Sequence, residues 1–474
     1  MHELKYEFLN GMVFMRILTN QKPPRSAVKI IFRTEKGEDF RRDAVGRGFL
    51  EIGVDTTNQL SRRALLLLIR RIIVVANAKN LKVLVIDFAQ LESIAGPGNI
   101  STAELAELLS TNSILANYAF EEYKTPPSEG FVHVRSMYLL NAQKPRIIQA
   151  LRRGKIIGEE TNRARHIATM PAGEMTPALL ARHARSALKN LPVRVTVWND
   201  REIQRRGLAG IIAVGKGSAS KPRFIILEYQ GGKTSERPIV LIGKGVTFDA
   251  GGINLKPTTA ILGMNMDMSG GASVIHTLAA CARLQVKKNI IVLVPAVENM
   301  LSGESYRPGD IIRTLSSKTV EVQDTDAEGR IILADTLTWA ARYRPRLVVD
   351  IATLTGSAVV ALGERSSALF TENEKLEGEF RHIGTAVGDP VWPLPLWDEY
   401  LEDIKGTYAD IGNVGNTKWG GAITAAIFLK QFVTYPWVHI DIAPRMTSIS
   451  GEYLAKGSIG AGVQLLVRFL STKA

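Results

Sequence analysis

Short apolar runs rich in β-branched residues alternate along this chain with longer stretches in which apolar positions recur every three or four residues. The short runs fit buried strands and the longer stretches amphipathic helices. Residues 60–78 and 103–120 are expected to be helices, with a buried strand at 83–88 between them. Further strands are expected at 223–227, 239–242, 290–294, 347–351 and 438–442, and helices at 271–284, 331–343, 422–432 and 460–470. Such alternation predicts an α/β fold. A charged amphipathic stretch at 146–168, apolar at Ile147, Ile148, Leu151, Ile156 and Ile157, lies between Lys144-Pro145 and Pro171 and predicts a linker helix. The chain then divides into a smaller N-terminal α/β domain, 1–145, a linker helix, 146–170, and a larger domain, 171–474, whose sheet is covered by helices. In such sheets ligands gather at the carboxyl ends of the strands.

With 474 residues, 45% apolar and 22% charged, the chain can fill more than one core, and disorder is disfavoured. Its strongest candidate for a membrane span, 64–76, is broken by Arg70 and Arg71 and falls short of the roughly 20 residues needed. The first residues include Glu3 and Glu7 and lack the progression of a secretory signal, so a cytoplasmic protein with no membrane partner is expected. One cysteine, Cys281, excludes an internal disulfide and any multi-cysteine metal site. The net charge is +13, from 59 Lys and Arg against 46 Asp and Glu, which would suit a nucleic-acid partner. That excess is spread out, +5 over 1–150 and +8 over the remainder, with no polybasic run. A generally basic, solvated surface is therefore favoured over a nucleic-acid site.

Candidate chemistry is narrowed first by what is missing. There is no His-Glu-x-x-His and no Gly-x-Ser-x-Gly; the seven histidines are scattered, and Gly243-Lys244-Gly245 lacks the spacing of a phosphate loop. Acidic residues gather instead where strands end. Lys244 and Asp249 lie on the glycine-rich stretch that follows the strand at 239–242, where missing side chains let an ion or substrate approach the backbone. Asp267 precedes a helix, where an N-terminal cap is the ordinary role of an aspartate. If the segment Asp324-Thr325-Asp326-Ala327-Glu328-Gly329-Arg330 is extended, its three acids and Arg330 share one face. Acids so placed repel one another unless cations lie among them, so bound metal is expected. Oxygen donors without cysteine suit Mg, Mn or Zn.

These motifs resemble the leucyl (cytosol) aminopeptidases, the M17-type two-metal metallopeptidases. The family signature Asn-Thr-Asp-Ala-Glu-Gly-Arg-Leu stands here as residues 324–331, identical at six of eight positions. Gly-Lys-Gly-x-Thr-Phe-Asp-x-Gly-Gly at 243–252, Lys256-Pro257, Asp267-Met268, Asp350-Ile351-Ala352-Thr353-Leu354-Thr355-Gly356 and Leu394-Pro395-Leu396-Trp397 follow in the family's order. The likeness covers nearly all of 146–474 and implies that the domain at 171–474 is a catalytic metallopeptidase domain, with a mixed central sheet. It implies two divalent ions per subunit, Mn or Zn with Mg or Co as alternatives, held by Lys244, Asp249, Asp267, Asp326 and Glu328. Lys256 and Arg330 match the family's catalytic basic residues, and Arg330's counterpart holds a bicarbonate that acts as general base. Met264, Thr353 and Leu354 match substrate-binding positions. The implied activity is release of N-terminal Leu and other apolar residues from peptides with a free N-terminus, and the implied assembly is a homohexamer. A DNA-binding regulator is the alternative. Three departures stand out: Asp324 for the usual Asn, no asparagine in Thr169-Met170-Pro171-Ala172-Gly173, and no glycine after Asp441-Ile442-Ala443.

Overall fold

The structure is a computed structural model describing residues 15–54, 60–96 and 100–472. Glu3 and Glu7, on which the reading of the first residues rests, lie outside these. The chain forms two compact units, Met1–Asn162 with Ser448–Lys456, and Arg163–Thr447 with Gly457–Ala474.

In the first unit, strands β1 (Arg16–Leu18), β2 (Val28–Arg33), β3 (Glu38–Arg42), β4 (Gly48–Gly53), β5 (Val83–Asp87) and β6 (Ser136–Leu140) form a sheet in the order β1-β6-β5-β2-β4-β3. All pairings are parallel except β3 with β4. Helix α1 (Arg62–Ala78) starts at Ser61, whose side chain accepts from the Ala64 amide, and buries Leu65, Leu68, Ile69, Ile72 and Ile73. Helices α2 (Phe88–Ala95) and α3 (Thr102–Ala116) follow, the latter opened by a Ser101/Glu104 capping box. Arg70, which interrupts the apolar face of α1, is only 2% exposed. Its guanidinium lies 3.0 Å from Glu452 Oε2 and donates to Asn112 Oδ1 at 2.9 Å. A buried cation is tolerated when it is paired and hydrogen-bonded in this way. Helix α4 (Pro145–Thr169) carries the boundary, its residues to Asn162 belonging to the first unit and the rest to the second.

In the second unit, β7 (Val193–Asn199), β8 (Arg223–Gln230), β9 (Ile239–Gly243), β10 (Gly245–Asp249), β11 (Asn289–Asn299), β14 (Leu347–Ala352), β15 (Ser367–Phe370), β16 (Val391–Pro393) and β18 (Trp437–Asp441) form one sheet. Its order is β16-β15-β18-β14-β9-β11-β8-β7, with β10 also paired to β11. The central β18-β14-β9-β11 pairs are parallel and β11-β8-β7 antiparallel, so the sheet is mixed. A small sheet, β12 (Ile311–Arg313), β13 (Thr319–Glu321) and β17 (Ile411–Gly412), stands apart from it. Helices α5 (Ser269–Arg283), α6 (Glu328–Ala340), α7 (Gly356–Leu362), α8 (Gly421–Lys430) and α9 (Val463–Ser471) complete what the site requires. Ile331 and Leu337 of α6 and Ile427 of α8 share a core with Val240, Ile242 and Val348, whereas α5 packs on β9 and β14 and against α9.

Strand β9 lies between β11, which the chain reaches after β10, and β14, which it reaches later on the opposite side. The order of connection therefore reverses at β9, and a crevice opens beyond the carboxyl ends of β9 and β14. Among the described residues, no helix is long and apolar enough to cross a membrane.

Candidate active site

The candidate metal, catalytic and substrate-binding residues lie together at this reversal. Lys244 directly follows β9 and Thr353 directly follows β14, and the Lys244 ammonium donates to the Thr353 carbonyl at 2.9 Å. In β10 the pairing with β11 slips at Thr247, a bulge that sets Asp249 opposite Asn299. Asn299 then donates to Asp249 Oδ1 at 2.8 Å. The segment 324–330 is not extended: Thr325 and Asp326 form a turn, and Glu328 and Arg330 lie in the first turn of α6. The acids converge through that turn and not through alternation along a strand. Asp267 is also not a helix cap, since it sits inside a short 3-10 helix, Met264–Met268, and α5 begins without a side-chain cap.

The resulting geometry is close. Asp249, Asp326 and Glu328 each offer an oxygen within 4.8 Å of the others. Lys244 Nζ lies 2.9 Å from Asp267 Oδ2 and 2.7 Å from Glu328 Oε1, and Lys256 Nζ lies 2.9 Å from Asp249 Oδ2 and 2.5 Å from Asp326 Oδ1. The Thr353 hydroxyl donates to Asp267 Oδ1 at 2.6 Å. Met264, Leu354 and Arg330 join them around a cavity of about 510 Å³, while Glu328 is buried beside it.

The acid-bearing turn is fastened at most of its polar atoms. Thr325 donates from its amide to Asn254 Oδ1 and from its hydroxyl to the Gly251 carbonyl, and its own carbonyl accepts from Asn299 and Tyr306. The Asp326 amide donates to Asp324 Oδ1 at 2.8 Å, a contact the usual Asn could also accept. Gly251 has φ +89°, and a side chain there would meet the Asn254 carbonyl at 2.4 Å.

Four carboxylates, those of Asp249, Asp267, Asp326 and Glu328, face two ammonium groups, leaving negative charge uncompensated. Burial, then the neighbouring carboxylates, pushes the Asp326 carboxyl up to about 7. Asp267 and Glu328 are raised for the same reasons despite Lys244 beside them. Burial alone would lower the Lys244 ammonium, but Asp267, Glu328 and Asp249 hold it above its ordinary value. Burial lowers Arg330 to about 10. Asp267 Oδ2, Asp326 Oδ1 and Glu328 Oε1 are buried, and among the described residues their only polar side-chain partners are the lysine ammonium groups. Surplus negative charge on a convergent set of carboxylate oxygens fits divalent cations.

The model of the cytosol aminopeptidase family's catalytic domain matches residues 162–467. A probable cytosol aminopeptidase of Geobacter sulfurreducens is 43% identical over 383 residues, 79% of this chain and 76% of that protein. The corresponding protein of Syntrophotalea carbinolica is 40% identical over 380 residues, again 79% and 76%. This chain belongs to the cytosol aminopeptidase family. It is accordingly a hydrolase, a metal-dependent aminopeptidase. Among solved structures, the bottromycin maturation enzyme BotP in complex with Mn is similar, with TM-score 0.85 and 30% identity, covering 94% of this chain and 99% of that one.

Several supports of this site have no supporting role assigned from the sequence, although Asp441 stands in a stretch that departs from the family pattern. Asn299 and Tyr306 hold the acid turn, and Asn265 donates to the carbonyls of Ala168, Thr169 and Met170, the stretch that departs from the family pattern. Asp441 accepts from the Leu354 amide and the Thr355 hydroxyl and so fixes the loop after β14. Asn299 was the findable one, because it ends a long apolar strand beside an acidic loop.

Proposed function

We propose that this aminopeptidase releases Leu and other apolar residues from the N-terminus of peptides, with Lys244, Asp249, Asp267, Asp326 and Glu328 holding two divalent ions. The observation that carries the reading is the convergence of Asp249, Asp326 and Glu328 within 4.8 Å beside the Lys244 and Lys256 ion pairs. When bound, the ions supply Lewis-acid polarisation of a carbonyl and acidify water. Lys244 serves such a site only as the neutral amine, a form that nearby cations favour. Lys256, 14% exposed at its side chain, is placed to stabilise negative charge developing on a carbonyl oxygen. Arg330 would hold the bicarbonate, whose chemistry there is that of a general base. Met264 and Leu354 give the cavity an apolar wall, and such walls discriminate by only about 1–3 kcal/mol per methylene, so preference among apolar side chains is broad.

The test is release of leucine from leucyl amide with Mn or Zn, with chelator and with N-acetylated substrate as controls. Release only in the presence of metal and a free amine supports the reading. Equal turnover in chelator, or on the blocked substrate, sinks it. We further propose a cytoplasmic homohexamer, as in the resemblance above, for which light scattering is the check. A nucleic-acid partner has only the net charge behind it and is not proposed.

A further inference from the structure

Arg330 is 7% exposed, yet its guanidinium makes a single hydrogen bond among the described residues, from Nη1 to the Asn413 carbonyl at 2.7 Å. Its Nε has no acceptor. A planar group held at one point can swing about it, so its aim into the cavity is only as fixed as that carbonyl. The carbonyl follows β17, a strand of two residues, which by itself is a weak anchor.

The anchoring comes from the Asn413 side chain. Oδ1 accepts from the Gln323 amide at 2.7 Å and from the Asp324 amide at 3.2 Å, and Nδ2 donates to the Asp324 carbonyl at 2.5 Å. The Asn413 amide meanwhile donates to the Glu321 carbonyl at 2.9 Å, so the residue, fully buried, extends the pairing of β17 with β13 into the segment leading to Asp326. One side chain thus sets where Arg330 is held and where the acid turn begins.

We propose that Asn413 is a positioning residue, holding Arg330 in register with the acid-bearing turn for the reaction. The requirement is for one acceptor and one donor on a short planar group. Asp has the shape but sets a second acceptor against the Asp324 carbonyl, and Ala removes both contacts. This inference rests on the aminopeptidase reading with Arg330 as a catalytic residue.

The experiment is a double-mutant cycle. Asn413→Ala and the isosteric Asn413→Asp are made in the wild type and in Arg330→Ala, and kinetics on leucyl amide are measured with Mn, beside bound metal per subunit and thermal melting. In the wild type, either change lowers kcat by about 10- to 100-fold, the scale of a misplaced catalytic group. KM stays within about threefold, the pattern of an interaction made in the transition state. Bound metal is unchanged, and in Arg330→Ala the same changes lower kcat less than about twofold. Equal losses in both backgrounds overturn the positioning role, as does loss of bound metal in step with kcat. If Asn413→Ala fails to melt cooperatively, Asn413→Asp alone decides by the same criteria. Failure of the aminopeptidase reading looks different, because wild-type protein loaded with Mn would then release no leucine.

Discussion

Replacing Thr353 by Val removes one hydroxyl while keeping the branched shape at a position 5% exposed. That hydroxyl donates to Asp267 Oδ1 at 2.6 Å, and the Thr353 carbonyl, which the change leaves in place, still accepts from Lys244. A hydrogen bond to a charged group contributes about 1.5–3 kcal/mol. Its loss leaves the Asp267 carboxylate held only through Oδ2, by the Lys244 ammonium at 2.9 Å. At tenfold per about 1.4 kcal/mol the expected loss of Mn affinity is roughly 10- to 100-fold, the range found when groups that orient metal ligands are removed. Protein stripped by chelator is titrated with Mn by calorimetry, and the melting of the stripped protein is measured alongside. Weaker binding with little change in melting of the stripped protein is expected, and no further loss when Asp267 is already Asn. Undiminished Mn affinity in Thr353→Val would refute both the role of Asp267 as a ligand and its orientation by Thr353.

Gly329→Ala improves helix propensity by about 1 kcal/mol, yet a side chain there would meet Lys244 Cε and Nζ at 2.8 Å. Displacement of Lys244 from Asp267 and Glu328 should lower both stability and metal content, and a variant as stable and as metal-rich as wild type contradicts this. Glu328→Ala should abolish metal-dependent turnover, whereas chelated wild-type and variant proteins should be equally inactive; residual metal-dependent turnover near the wild-type level counts against Glu328 as a metal ligand. Burial, then His276, holds the His166 imidazole down at about 4, so the fold takes up fewer protons than the unfolded chain between about pH 6.5 and 4. This contribution is complete above pH 6.5 and is lost as the pH falls, by up to about 3 kcal/mol for His166. Denaturant midpoints measured from pH 7.5 to 5 should therefore fall less steeply in His166→Gln than in wild type, and parallel slopes would contradict the assignment.

How far the sequence could be read depended on burial. Strands β9, β11 and β14 are buried on both faces and appear as apolar runs, that of β14 interrupted only by Asp350, so their position and the loops leaving them were legible. Edge strands were not. Glu38–Arg42 carries four charges in five residues, as exposed edges do, and its role as a strand lies in its pairing with β4 rather than in its pattern. The residues 448–456 group with the N-terminal unit through contacts such as Glu452 with Arg63 and Arg70, which no local periodicity announces. At the site, the acids and lysines were visible as residue types at strand ends, while their convergence through a turn was not.

The same contrast explains how the site is built. Two carboxylates 4.8 Å apart repel by about 3 kcal/mol at an effective dielectric constant near 20, so residues such as Asp249, Asp326 and Glu328 stay together only where the backbone leaves them no alternative. The structure answers with neutral hydrogen bonds. Asn254, Asn299, Tyr306 and Asn413 grip the backbone of 323–325, and none of them adds charge. Lys244 and Lys256 supply the only full positive charges in contact with the four acids among the described residues, and each bridges two of them. The backbone of the acid-bearing turn is thus held by neutral groups, and the charge of the acids is met separately by the two lysines.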